Sequence, residues 1–394
     1  MKKALRKIHL WLSVPTGIII TLVCFSGAML VFEKEITEAI KPELYFVKEA
    51  KGEPIPMQQL MEKVEETLPD SVSISGVTVF ADSTRTYQVS LSKPRRASIY
   101  VNQYTGEVTG RSERLPFFNT MFHLHRWLLG SSMGVGKLLT GICTLVLVFI
   151  LITGILMWLT NRNKPLKASL AIHVTKGWGR FWHDLHVAGG IYTTIFLPAM
   201  ALTGLTWSFS WYRTGFYACF GVESSEKGGA HGEGGNSHGE GRGSRGEGRY
   251  THGDGRNNHE GKRGEGGYGF HRRSPYRHWD DVLNEVASKN PGYQQITLKP
   301  EVAEVVPEGR LSMRAADKYS YDRRSGEITD VQLYSAGKKD TKVRSGVYMV
   351  HTGSWGGIIT RILNFLAAFI GATLPLTGYW LWFRRKRAAI AHHH

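Results

Sequence analysis

The sequence contains little cysteine. Its three cysteines, Cys24, Cys143 and Cys219, are too few for a disulfide framework, and the first two fall within apolar runs. No Cys-x-x-Cys-His occurs, which excludes a covalently attached c-type haem.

The nucleotide-binding fingerprints are also missing. No Gly-x-Gly-x-x-Gly joins a strand to a helix, which argues against a resident nicotinamide or flavin. Gly130–Leu138 (GSSMGVGKL) resembles a phosphate-binding loop, but its spacing is one residue too long and no Ser or Thr follows Lys137. Any electrons that the protein handles must therefore come from another molecule.

Acidic residues are fewer than basic ones, and the excess of basic residues has a topological explanation. Lys and Arg number 49 against 33 Asp and Glu, a net charge of +16. Many basic residues flank apolar runs, which weakens a nucleic-acid interpretation and favours contact with lipid headgroups. Each run has at least 23 residues, where about 20 cross a bilayer as a helix. The runs are Leu10–Phe32, Leu138–Thr160, Val187–Trp211 and Gly357–Phe383.

The basic flanks set an expected orientation. MKKALRK precedes the first run, NRNK follows the second and RRKR ends the fourth, so these flanks belong on the cytoplasmic side. Both chain termini are then cytoplasmic, and segments 33–137 and 213–350 lie outside the cytoplasm. We expect a multi-pass protein of a bacterial inner membrane, with these segments in the periplasm.

The chain repeats itself. Each run ends in a small-residue pair with a histidine upstream: Ser26-Gly27, Thr153-Gly154, Thr203-Gly204 and Thr377-Gly378. His9 to Gly27 and His186 to Gly204 are both 18 residues; His125 to Gly154 is 29 and His351 to Gly378 is 27. Odd runs match odd runs and even match even, so the coincidence of spacings indicates an internal duplication.

The segments between the runs match as well. A helix-like stretch (Met57–Leu68, then Trp279–Ala287) precedes strand-like runs and a Gly-Glu turn, YTGEV or RSGEI. Ser224–Phe270 breaks the match and is predicted to be a disordered insert.

The predicted fold is a membrane protein with a four-transmembrane-helix bundle and two periplasmic α+β domains, internally duplicated. The expected order is transmembrane helix 1 (1–32), periplasmic domain 1 (33–122), transmembrane helix 2 with the segment leading into it (123–160), a cytoplasmic linker (161–180), transmembrane helix 3 (181–212), periplasmic domain 2 with the insert 224–270 (213–350), transmembrane helix 4 with its basic end (351–387), and a tail with a tag (388–394).

The four histidines sort by depth. His9 and His186 fall near the cytoplasmic face, and His125 and His351 near the periplasmic face, one from each half of the repeat. That arrangement can hold a haem iron between two imidazoles, which predicts two b-type haems. Any single histidine is more often an interfacial anchor or a hydrogen-bonded core residue; the repeated pairing favours ligation. The histidines could instead belong to a proton relay, but such a relay would need an intramembrane carboxylate and the four apolar runs contain none.

Other candidates accompany these ligands. His183 and His123 are reserve ligands, the first on nearly the same helix face as His186. Three cations are predicted to pair with haem propionates, although contact with phosphate headgroups explains them too. They are Arg126, Lys137 and Arg361.

The runs LHRWLLG, LHVAGG and VHTGSWGG, with the YTGEV and RSGEI turns, resemble the PepSY-associated transmembrane family over all of the chain except the insert. This family includes iron-regulated inner-membrane ferric-siderophore reductases. The resemblance implies two PepSY-like periplasmic domains, two b haems with His9, His125, His186 and His351 as ligands, and release of Fe(II) from a ferric siderophore in the periplasm. The electron donor would be a quinol or a cytoplasmic reductase.

A substrate pocket is expected over the outer haem. Candidate lining residues are Trp355, Tyr100, Tyr104 and Tyr321, which aromatic belts and domain cores explain equally well. Two other functions stay open: a non-redox sensing or interaction module in which the histidines are structural, and a haem electron carrier that serves a copper chelate or a partner protein.

Overall fold

The computed structural model describes residues 2–94, 97–132, 134–160, 170–222, 274–310 and 315–391. The predicted insert at 224–270 and the first part of the predicted linker, 161–169, lie outside these residues. The predicted tag, residues 392–394, lies outside them as well.

Helices make up the membrane part and flank the strands. The α-helices in chain order are α1 (Lys2–Leu30), α2 (Glu33–Ile40), α3 (Pro42–Tyr45), α4 (Met57–Glu66), α5 (Pro116–Trp127), α6 (Val135–Thr160), α7 (Trp178–Tyr192), α8 (Phe196–Ser208), α9 (Ser210–Ala218), α10 (Trp279–Lys289), α11 (Lys339–Thr352) and α12 (Gly357–Ala391). The strands are β1 (Ile74–Phe80), β2 (Tyr87–Leu91), β3 (Ser98–Val101), β4 (Val108–Arg111), β5 (Tyr293–Lys299), β6 (Val302–Pro307), β7 (Asp317–Tyr321) and β8 (Ile328–Gln332).

Within the described residues, α1, α6 and α12 are long and apolar enough to cross a membrane, and α7 with α8 gives a fourth candidate span. Their outward faces expose large apolar side chains, as at Ile18 (64%) and Ile152 (47%). Small residues are turned inward, with Ser26 and Ala28 fully buried. Small residues between helices and large apolar ones outside are the pattern expected in lipid.

The third apolar run is broken, which corrects the prediction of one continuous helix over Val187–Trp211. The chain bends by 63° between α7 and α8. Thr193 and Thr194 donate their hydroxyls to the carbonyls of Gly190 (3.0 Å) and Ile191 (2.6 Å), so side chains satisfy carbonyls at the break. Pro198 lacks a backbone N–H, which a helix tolerates in its first turn but not in its interior. A hydropathy pattern contains none of this information.

The strands form one eight-stranded antiparallel sheet in the order β4-β3-β2-β1-β5-β6-β7-β8. The two halves of the chain join where β1 pairs with β5, with Val77 opposite Leu298 and Val79 opposite Ile296. Helices α4 and α10 share one apolar core with the strands, in which Leu60 and Val282 are fully buried. Two separate small domains were expected; the structure has one sheet and one core.

The two predicted Gly-Glu turns are present and built alike. In the β3–β4 turn, the Asn102 side chain accepts the N–H of Tyr104 at 2.9 Å. In the β7–β8 turn, the Asp322 side chain accepts the N–H of Arg324 at 2.8 Å. Each turn closes on a glycine with positive φ, 77° at Gly106 and 80° at Gly326, a conformation that costs little only for glycine.

The second half of the chain caps a helix of the first. The carboxylate of Asp280 in α10 accepts the N–H of Met57, the first residue of α4, at 3.0 and 2.8 Å. This contact satisfies one of the donors that a helix N-terminus leaves open, and the negative charge suits the positive end of the helix dipole.

Asp280→Ala is therefore expected to destabilise the sheet domain by about 1 kcal/mol, the usual cost of losing a helix cap. Thermal unfolding of the purified protein checks this. Asp281→Ala is the matched control, because its side chain is 76% exposed. Equal unfolding midpoints for the two variants would contradict the proposed cap.

Candidate functional site

Four histidines form two pairs, each joining the first half of the chain to the second. His9 in α1 and His186 in α7 have ring centroids 6.4 Å apart, with the rings crossing at 88°. We call them the distal pair, because they lie far from the sheet. His125 in α5 and His351 in α11 have centroids 6.0 Å apart at 52°. These two form the sheet-side pair.

Short helices before the spans position the sheet-side pair, rather than the spans themselves. His125 lies near the end of α5, which stops where Leu128 takes a left-handed conformation at φ 48°. His351 lies near the end of α11, which stops at Gly353 with φ 76°. His351 thus precedes α12, the helix that contains the fourth apolar run.

Asn364 secures the end of α11 beside His351. Its side-chain amide, 1% exposed on α12, donates to the carbonyls of Val350 (3.1 Å) and His351 (3.3 Å). Those carbonyls lack partners within a helix terminus. Asn364 was not among the predicted residues, although an amide inside an apolar run is itself a signal of a structural or functional role.

Each imidazole is held through Nδ1 by a neighbouring helix. Three of the four contacts are to backbone carbonyls, which can only accept a hydrogen bond, so Nδ1 carries the proton. In the neutral imidazole, Nε2 then holds the lone pair that can bind a metal. The carbonyl contacts are His125 to Val23 (2.8 Å), His351 to Met200 (2.9 Å) and His186 to Leu374 (3.1 Å).

His9 reaches the same tautomer through a hydroxyl. Its Nδ1 lies 3.0 Å from Oγ1 of Thr153, which in turn donates its single proton to the Ile150 carbonyl at 2.9 Å. With its proton committed, the hydroxyl oxygen is left to accept, and Nδ1 of His9 must donate. All four histidines therefore present Nε2 as the metal-binding nitrogen.

The four glycines of the small-residue pairs provide the space for these rings. A Cβ on Gly27 would lie 2.8 Å from Cε1 of His125, and one on Gly204 would lie 3.1 Å from Cε1 of His351. At the distal pair the corresponding distances are 3.3 Å for Gly378 and 3.5 Å for Gly154. The glycine spacing that first indicated the repeat thus follows from the packing of histidine rings on helices.

The separation within each pair fits two ligands of one iron. Two imidazoles that bind a metal from opposite sides place their centroids about 6 Å apart, since each metal–nitrogen bond is about 2.0–2.1 Å and each ring nitrogen lies about 1 Å from the centroid. Both pairs match this value. The neutral, Nδ1-tethered imidazole is also the donor that haem iron takes axially.

Within the described residues, no three His, Cys, Asp or Glu side chains form a metal-binding group. A pair of histidines alone offers few ligands to a bare ion, but it could hold an iron whose other ligands a porphyrin supplies. The described residues of each pair are therefore compatible with a haem.

The reserve histidines have other partners. His123 packs against Trp127, with ring centroids 5.0 Å apart. His183 lies 3.2 Å from the buried carboxylate of Asp184, which also accepts from Arg180 and lies 2.8 Å from Nδ1 of His173. This cluster around Asp184 was not predicted: Arg180, His183 and Asp184 lie together in α7, and His173 reaches them from the loop that precedes the helix.

The three predicted anion partners differ in their surroundings. Arg361 pairs with Glu35 and donates to the Val31 carbonyl at 2.5 Å; its hydrogen bonds hold the pKa of the Glu35 carboxyl below its ordinary value. Arg126 lies beside the sheet-side pair in sequence and over the Trp127 ring at 5.5 Å. Lys137 lies in the first turn of α6, partly buried.

Two of the four aromatic residues predicted to line a pocket lie in strands of the sheet. Tyr100 and Tyr321 are 7% and 4% exposed in β3 and β7, and the Tyr321 hydroxyl donates to the Lys299 carbonyl. Tyr104 donates to the Ser83 carbonyl at 3.1 Å, and Trp355 is 45% exposed before α12. The domain-core explanation therefore holds for Tyr100 and Tyr321.

Comparison with known families gives one match. The sequence model of the family described as PepSY-associated TM region matches residues 6–385, a range that includes all four histidines and both halves of the sheet. No curated protein sequence matches the chain.

Gly27→Ala is expected to lower the unfolding midpoint of the protein, because the added methyl group overlaps the His125 ring and overpacking costs about 1–3 kcal/mol. Gly154→Ala is the control, since its Cβ would make an ordinary contact with His9 at 3.5 Å. Thermal unfolding in detergent measures both. A Gly27→Ala midpoint equal to that of Gly154→Ala would show that the ring does not rest on Gly27.

Proposed function

The chain is a membrane protein that belongs to the PepSY-associated TM family, and we propose that it is a di-haem b electron-transfer protein that reduces ferric siderophores. In this proposal it lies in a bacterial inner membrane and delivers electrons to the periplasmic side, where Fe(II) is released. The enzyme class is thus a transmembrane ferric-siderophore reductase.

The two histidine pairs carry this proposal. Each joins two helices from different halves of the chain at the separation that one iron requires, and each ring is oriented through Nδ1. Histidines with a purely structural role would not need to place their ring centroids about 6 Å apart in both pairs. His9 and Val23, whose carbonyl holds His125, are 14 residues apart on α1, which places the pairs about 21 Å apart along the helix.

A haem iron supplies a one-electron change between its ferric and ferrous states. The chain's own residues would hold and orient it: His9 with His186, and His125 with His351. Between the pairs lies an apolar cluster that includes Ile20, Leu147, Leu197 and Ala372. This cluster keeps water and mobile ions away from the path between the two pairs.

The basic flanks support a proposed topology. We place both termini in the cytoplasm, the distal pair near the inner face and the sheet near the outer face. The bundle then has four spans, with α7 and α8 counted as one. We also propose that the chain is an internal duplication: each half contributes a span, a helix, four strands and a second span, and the two PepSY-like halves have fused through β1 and β5.

The substrate is proposed to bind on the sheet side. Hard oxygen donors of a siderophore hold Fe(III) tightly and Fe(II) much less tightly, so adding one electron releases the metal and leaves the chelator intact. The sheet-side pair lies below the sheet domain, where such a complex would dock from the periplasm. The electron would come from a quinol or a cytoplasmic reductase.

Purified protein is expected to show a b-type haem spectrum with about two haems per chain, one for each histidine pair. Optical spectroscopy with haem quantitation measures this. A protein that folds in the membrane and binds no haem when haem is supplied would refute the proposal and favour the non-redox interaction module.

His351→Ala is expected to remove the haem of the sheet-side pair and keep that of the distal pair, halving the haem content. His123→Ala is the matched control, because His123 lies two residues from His125 and packs on Trp127 instead. Pyridine haemochrome assays of both variants provide the comparison. Equal haem content in wild type and His351→Ala would disprove the pairing.

Reduced protein is expected to be oxidised rapidly by ferric siderophores in stopped-flow measurements. Copper chelates form the comparison series, because a haem carrier that serves another acceptor would react with them preferentially. Faster oxidation by the copper chelates than by every ferric siderophore would assign the protein to that other acceptor.

A further inference from the structure

The four small-residue pairs are alike in sequence, but their hydroxyls do different things. Oγ1 of Thr153 lies 3.0 Å from Nδ1 of His9, and Oγ1 of Thr377 lies 2.9 Å from Nδ1 of His186. Both members of the distal pair thus make their shortest Nδ1 contact with a threonine hydroxyl, and His186 also contacts the Leu374 carbonyl at 3.1 Å.

The sheet-side pair is held differently. Ser26, the counterpart of these threonines, donates its hydroxyl to the carbonyls of Leu22 (2.6 Å) and Val23 (3.1 Å), while His125 donates directly to the Val23 carbonyl at 2.8 Å. His351 makes its shorter contact with the Met200 carbonyl, and Thr203 is farther away at 3.3 Å. Backbone carbonyls are therefore the main acceptors at this pair.

The direction of the hydrogen bonds at the distal pair is fixed. Thr153 gives its hydroxyl proton to the Ile150 carbonyl at 2.9 Å, and Thr377 gives its own to the Leu374 carbonyl at 2.8 Å. A hydroxyl has one proton, so both oxygens accept from the imidazole N–H. A hydroxyl that donates to a carbonyl is also a better acceptor, because hydrogen bonds in a chain polarise one another.

An acceptor on Nδ1–H changes the metal-binding nitrogen. It draws the proton away from the ring, raises the electron density at Nε2 and makes the imidazole a stronger ligand. A stronger donor favours ferric over ferrous iron and so lowers the reduction potential of the haem. Partners of this kind also fix the ring orientation.

We propose that Thr153 and Thr377 are positioning residues that set the reduction potential of the haem held by His9 and His186, a role that Ser26 does not have at the sheet-side pair. The proposal rests on the proposed function, since it presupposes haem at the distal pair. It gives the chain a means to adjust one haem independently of the other.

The test uses the full chain with both haems, in the variants Thr153→Val and Thr377→Val. Valine keeps the shape of threonine and removes the hydroxyl acceptor. His186 keeps its contact with the Leu374 carbonyl at 3.1 Å, so the shift is expected to be larger in Thr153→Val than in Thr377→Val. Spectroelectrochemistry is expected to show that one of the two midpoint potentials rises and the other stays at its wild-type value. Thr153→Ser is expected to restore the wild-type potential, because it restores the hydroxyl.

Ser26→Ala is the matched control at the same position of the repeat. It is expected to leave both potentials unchanged, because His125 keeps its bond to the Val23 carbonyl. His351→Ala, which leaves only the distal haem, identifies the potential that belongs to that haem. Loss of the distal haem alone from Thr153→Val would also support the positioning role.

The outcomes separate this inference from the proposed function. A wild-type protein that binds no haem overturns both. If the wild-type protein binds two haems and both potentials stay at their wild-type values in Thr153→Val and in Thr377→Val, this inference alone is overturned. An equal shift of both potentials, or a shift in Ser26→Ala as large as in Thr153→Val, overturns it too.

Discussion

The hydrogen bond from each imidazole Nδ1 to a neighbouring helix is the interaction on which the rest of the membrane part depends. It fixes the tautomer, leaves Nε2 for a metal and requires the two helices to approach closely. The approach is closest at Gly27 beneath His125, where the space that the ring occupies depends on the missing Cβ of the glycine that follows Ser26. Each histidine imidazole, the helix group that accepts its Nδ1–H and the small residue beside it thus form one unit, which occurs four times.

The repeated unit also explains why the two halves of the chain are inseparable. Every tether crosses from one helix to another, and every histidine pair takes one member from each half. The sheet follows the same rule, since β1 pairs with β5 and Asp280 caps α4 across the halves. Within the described residues, each histidine pair and the core of the sheet therefore take residues from both halves of the chain.

Much of this arrangement could be predicted from the sequence. Equal spacing from histidine to glycine predicted which histidines match, because the period of a helix converts sequence spacing into depth. Local chemistry predicted the Gly-Glu turns, where Gly106 and Gly326 need positive φ.

Contacts between segments that are far apart in the sequence could not be predicted in this way. The β1–β5 pairing depends on which strand edges meet, and the partnership of Arg361 with Glu35 depends on how α12 passes α2. The break after Tyr192 coincides with the hydroxyl contacts of Thr193 and Thr194, which hydropathy does not detect.

The central claim is that each pair binds one haem iron through both imidazoles. Electron paramagnetic resonance of the oxidised protein tests it most directly, because two axial imidazoles give low-spin ferric iron and ring planes near perpendicular give a more anisotropic signal than planes closer to parallel. The account predicts two low-spin signals, the more anisotropic one from His9 and His186, whose rings cross at 88°, and the other from His125 and His351 at 52°. A high-spin signal of five-coordinate haem, or a single low-spin species with one haem per chain, would contradict it.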